Sequence, residues 1–128
     1  MRRAAFLNGG MMEQHTVTVT VTGTAGSATG SGATTVPVYG KLYAVHLDYI
    51  DQAATCDVTV TTGSPAQTLL TVTNANTDAW FYPRVQVDSD AGAPIADEYD
   101  VAPVSGYVTV SVAQSNAGSV VATLLIED

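Results

Sequence analysis

Residues 16–22 read TVTVTVT, and this stretch decides the fold class. Side chains on an extended strand point alternately to opposite faces, so Val17, Val19 and Val21 share one face and the threonines share the other. Strict alternation over this length predicts a half-buried β-strand. Val and Thr are both β-branched, stiff at the first side-chain torsion and well suited to a pleated surface. The same period recurs where Cys56, Val58 and Val60 alternate with Asp57, Thr59 and Thr61, and again at Val108, Val110 and Val112. In residues 120–127, Val120, Ala122, Leu124 and Ile126 oppose Val121, Thr123 and Leu125. A strand apolar on both faces belongs in the middle of a sheet or under another subunit.

Further strands lie between these anchors. Residues 36–50 (VPVYGKLYAVHLDYI) predict a long strand bent at Gly40, with Tyr43, Val45, Leu47 and Tyr49 on one face and Leu42, Ala44, His46 and Asp48 on the other. Residues 68–73 (TLLTVT) predict another. In residues 80–87 (WFYPRVQV), Trp80 and Tyr82 fall on one face and Phe81 on the other, while Pro83, which has no amide hydrogen to donate, belongs at an edge or bulge. Residues 23–35 (GTAGSATGSGATT) read as a flexible loop, and 88–105 as an acidic excursion with a short strand near 99–101. Residues 114–118 (QSNAG) have the length and chemistry of a hairpin loop.

With no helical period anywhere, about seven or eight strands separated by turns imply an all-β chain, an antiparallel β-sandwich or jelly-roll-like barrel. Residues 15–128 are expected to form this single domain, and residues 1–14 an extended N-terminal arm. The hydrophobic fraction of 46% against 12% charged residues favours a packed core over disorder. A net charge of −8 repels phosphate backbones and argues against nucleic-acid binding. Cys56 is the single cysteine, so no intramolecular disulfide can form, and a buried thiol is expected. No apolar run approaches the roughly 20 residues of a membrane span, and the apolar stretch after Arg2 and Arg3 is too short for a secretory signal. Met11 and Met12 offer alternative starts to Met1.

Catalytic templates are absent. There is no G-x-S-x-G elbow, and the glycine-rich loop lacks the Lys-Ser/Thr of a phosphate-binding loop. His15 and His46 are the only histidines and have no second cysteine to complete a zinc site. The best metal candidates are Asp88 and Asp90, which resemble the start of a calcium loop, with Asp97, Glu98 and Asp100 close in sequence. The closing glutamate of that motif is missing, so an acidic turn is the simpler reading. Neither an enzyme nor a bound cofactor is expected. Trp80, Tyr82 and Arg84 share a face and are of the residue types that most often anchor protein contacts. Arg2, Arg3, Phe6, Leu7 and Met11 or Met12 are the arm's candidates for the same role.

The segments VYGKLYAVHLDYI, PAQTLLTVTNANTDAWFYPRVQVDSDAGAPI and VTVSVAQSNAGSVVATLLIED cover most of residues 36–128. Their Thr/Val-rich style resembles the small β-sandwich capsid decoration, or cement, proteins of tailed bacteriophages. That resemblance implies a virion protein made in the host cytoplasm. It would bind the outer capsid surface as a homotrimer and cross-link major capsid subunits, with no catalytic residues. The alternative is a carbohydrate- or receptor-binding β-sandwich of a tail fibre or cell surface. A buried Trp80 and an arm lying on a second chain would favour decoration; an exposed Trp80 over an acidic groove with bound calcium would favour the alternative.

Overall fold

The computed structural model describes residues 11–63 and 65–127. These form ten strands: β1 (Met12–Val21), β2 (Ala28–Ala33), β3 (Val38–Ile50), β4 (Asp57–Thr62), β5 (Gln67–Val72), β6 (Ala79–Phe81), β7 (Arg84–Asp88), β8 (Pro94–Gly106), β9 (Val108–Ser115) and β10 (Gly118–Glu127). One sheet has the order β1-β10-β3-β8-β7, with β6 also pairing β3; the other has the order β2-β9-β4-β5. All pairings are antiparallel. The chain is a β-sandwich.

Alternation in the sequence becomes the two inner faces. Val17, Val19 and Val21 of β1, Val120, Ala122, Leu124 and Ile126 of β10, and Val45 and Leu47 of β3 meet Val58 and Val60 of β4 and Val108, Val110 and Val112 of β9 in one core. Each fully buried aliphatic side chain contributes about 1.5–3 kcal/mol relative to its exposed state, and this repeated term holds the sheets together. β10 lies between β1 and β3, the central position that its two apolar faces require. Cys56 is buried, and burial pushes its thiol pKa up, opposed by a hydrogen bond with Ser115.

Four expectations need correction. Residues 23–35 are not a free loop: they contain β2, which pairs β9. Its small residues serve close approach, since a Cβ at Gly30 would overlap the Thr20 carbonyl oxygen of β1, and one at Gly32 would lie 3.1 Å from the Thr18 oxygen. Residues 114–118 do not close a hairpin, because β9 and β10 belong to different sheets and the segment crosses between them. The excursion at 88–105 is instead the turn and most of β8, a 13-residue strand. Finally, Met12, Glu13 and Gln14, expected in the arm, belong to β1 and pair with Glu127, Ile126 and Leu125, while residues 1–10 of that expectation lie outside the described residues.

The phase of β3 also differs. Val38 and Leu42 face inward, then the register against β10 shifts between Leu125 and Ile126, whose partners are Ala44 and Leu42. Tyr43 is the extra residue. This bulge turns Tyr43 outward and lets Val45 and Leu47 resume the inner face.

Candidate functional site

Each outward position on the six-stranded sheet follows from a buried neighbour. Since Val38, Leu42, Val45 and Leu47 point in, Tyr39, Lys41, Tyr43 and His46 point out. β6 pairs with β3 so that Trp80 lies opposite His46 and Phe81 opposite Val45. Phe81 therefore packs against the core while Trp80 remains 46% exposed. Pro83 separates β6 from β7, and Arg84 pairs with Val101 at the start of the β7–β8 ribbon.

These residues form a connected row. The His46 and Trp80 rings lie 5.0 Å apart, and Trp80 and Tyr82 are nearly parallel, 23° apart in plane at 6.5 Å. Tyr82 meets Tyr43 edge to face at 6.0 Å. The Arg84 guanidinium sits 5.3 Å from the centre of the Tyr43 ring, and its Nη1 donates to the Tyr43 carbonyl at 3.1 Å. That carbonyl belongs to the bulged residue, so Arg84 fastens the base of the ribbon to the bulge. Tyr82 is 57% exposed and Tyr39 65% exposed. Such aromatic surface is unusual to leave in water.

The predicted residues Trp80, Tyr82 and Arg84 are thus brought together. Tyr43 and His46 join them, with Tyr39 exposed on the same face, and sequence reasoning missed these three as a group. The bulge hid Tyr43, which simple alternation places on the same face as Val45, a residue the structure buries. Arg2, Arg3, Phe6 and Leu7 lie outside the described residues. Met12 is exposed at the start of β1. His15 lies in β1 opposite Leu124, its Nε2 3.3 Å from Glu13 Oε1.

Asp88 ends β7, and Asp90 lies in the turn to β8. In that turn the Gly92 amide donates to the Ser89 carbonyl at 2.9 Å, and the Ser89 amide to the Ala93 carbonyl at 2.8 Å. Ser89 Oγ accepts from the Ala91 and Ala93 amides, so the turn is satisfied by its own hydroxyl and backbone. Among the described residues no group of three His, Cys, Asp or Glu side chains is placed to hold a metal ion. Two shallow depressions, of about 270 and 340 Å³, lie at the other end of the sandwich. Thr61, Thr62, Gly63, Gly106, Tyr107 and Thr109 line the first, and Thr62, Pro65, Gln67, Pro103 and Ser105 help line the second.

Among the described residues, one buried side-chain polar atom has no hydrogen-bond partner. The Tyr49 hydroxyl is buried with no hydrogen bond, and burial, reinforced by Cys56 and Asp78, pushes its pKa up to about 12. Beside it, Ser115 Oγ donates to Gln52 Oε1 at 2.6 Å and accepts from the Ala53 amide at 3.1 Å. These contacts tie the end of the sandwich together at the crossing between β9 and β10.

No protein-family model, curated protein or solved structure matches this chain.

Proposed function

We propose that this chain is a non-catalytic structural protein of a larger assembly, of the kind that decorates the outer surface of a tailed-bacteriophage capsid. It would associate with its own copies and with the major capsid protein. The observation that carries the reading is the solvent-exposed row of Tyr43, Trp80, Tyr82 and Arg84 on the six-stranded sheet, although Trp80 is not buried as the decoration reading expects. Trp, Tyr and Arg are the types that contribute most at protein–protein contacts, and rings already ordered by one another lose little entropy on docking. The depressions, lined by hydroxyl, backbone and small apolar groups, offer no paired acid, base or nucleophile.

The experiment is co-sedimentation of the full chain with assembled capsid shells, run beside a glycan-binding screen. Saturable binding to shells is the expected result. A chain that ignores shells and binds glycans overturns it. That second reading, a carbohydrate- or receptor-binding module, draws on the exposure of Trp80 and its near-parallel alignment with Tyr82, a surface on which a sugar ring could stack.

A further inference from the structure

The distal β7–β8 ribbon has little packing of its own. Residues 90–100 are exposed throughout, and Val87, Ile95 and Tyr99 are 36%, 39% and 60% exposed. A two-stranded ribbon alone is at best marginally stable in water, so its apolar side chains call for a covering surface. The ribbon also carries Asp88, Asp90, Asp97, Glu98 and Asp100, and no Lys or Arg follows Arg84 in the chain. Whatever covers it must offer both cations and flat apolar area.

The outward face of the six-stranded sheet offers both. Lys41 and Arg84, the only Lys and Arg among the described residues, lie on it with Tyr39, Tyr43, Trp80 and Tyr82. Glu127 and Asp48 share this face, so its charge roughly balances, while every charged residue of the ribbon beyond Arg84 is acidic. In a chain of net charge −8, this is the face on which a second copy's acidic ribbon meets both described cations, alongside only two carboxylates.

We infer that the β7–β8 ribbon of one copy docks on the aromatic face of a second copy. This rests on reading that face as a protein-contact surface. If the exchange is reciprocal the contact closes a two-fold dimer; if it runs one way it is heterologous and closes into a ring or extends into a filament. The opposite sheet does not compete, because β2, β9 and β5 carry no charged residue and β4 carries only Asp57.

The test combines light scattering over a concentration series with cross-linking. The full chain should self-associate. A variant in which residues 87–98 are replaced by Asn-Gly, closing a two-residue turn between the paired Gln86 and Tyr99, should keep its melting temperature and become monomeric. Ile95→Cys mixed with Trp80→Cys should form a disulfide-linked pair that neither variant forms alone; Cys56 is buried and does not interfere. A monomeric full chain, a shortened variant that associates as before, or a mixture that fails to cross-link overturns the inference. A monomer that still binds capsid shells would overturn it while leaving the capsid-binding part of the proposed function standing. Ribbon-dependent self-association without shell binding would do the reverse.

Discussion

The two sheets have similar inner faces and opposite outer ones. Both line the core with Val, Leu and Ala, and the six-stranded sheet adds Ile126. On the four-stranded sheet the outward register rows run Ser31, Ser111, Thr59, Thr71 and Ala33, Thr109, Thr61, Thr68. These short hydroxyl and methyl groups are readily hydrated and leave no large ring in water. On the six-stranded sheet the outward positions hold Tyr39, Tyr43, Trp80 and Tyr82 with both described cations. Stability constrains inner faces, whereas outer faces are free to differ. Where one outer face carries costly exposed aromatic area and its counterpart does not, the aromatic one is the candidate for binding.

The contrast between inner and outer positions can be broken most sharply at Leu47. Leu47→Ala should lose about 2–5 kcal/mol of stability by leaving a cavity in the core, read as a lower urea midpoint. Trp80→Ala, on the same sheet but facing out, should change stability by less than about 1 kcal/mol. It should weaken association at least about tenfold, as for a central anchor residue. Thr59→Ala and Ser111→Ala on the other sheet should leave association unchanged; weakening as large as that from Trp80→Ala would erase the distinction between the faces.

A second test concerns the seam between the sheets. Gly30→Ala should destabilise by about 1–3 kcal/mol, because the new methyl group collides with the Thr20 carbonyl and forces β1 and β2 apart. A neutral result would mean that the seam yields easily. Arg84→Met should act more locally. Losing the bond to the Tyr43 carbonyl should speed amide exchange in the ribbon through a loss of about 1 kcal/mol or less, with the core strands unaffected.

The smallest effect is expected at Tyr49. Its folded-state pKa of about 12 lies above the ordinary value of 10.0, so the neutral phenol is favoured by folding. That contribution is complete below about pH 10 and is lost as pH rises through about 12, since the unfolded chain gives up its proton first. Tyr49 is only partly buried, and solvent screening reduces the effect below the full value of the shift. Tyr49→Phe should flatten the alkaline loss and slightly raise stability at neutral pH by removing an unpaired hydroxyl. Urea midpoints at neutral pH and at about pH 11 check both.

Much of the sandwich is legible in local pattern. Val17, Val19 and Val21 alternate visibly, as do Val108, Val110 and Val112, and both sets are buried. The outward pairing of Trp80 and Tyr82 against Phe81 is equally a matter of period two. β2 is illegible because its role is to be small: Gly30 and Gly32 permit approach by lacking a side chain, and the same composition describes a linker.

By itself the sequence determined that this chain is all-β, which residues line most of its strands' inner faces, and that Trp80, Tyr82 and Arg84 would share a side. Only the tertiary structure decided that β9 and β10 part into different sheets. A short polar connection suits a hairpin and a crossing alike, and the choice depends on which distant strands pair. Tertiary structure also placed the bulge at Tyr43. A one-residue shift in register reverses every later side chain, and it is stabilised by packing against β10 rather than by any local signal. That shift, together with β6 pairing onto β3, assembled Tyr43, His46 and Trp80 into one surface.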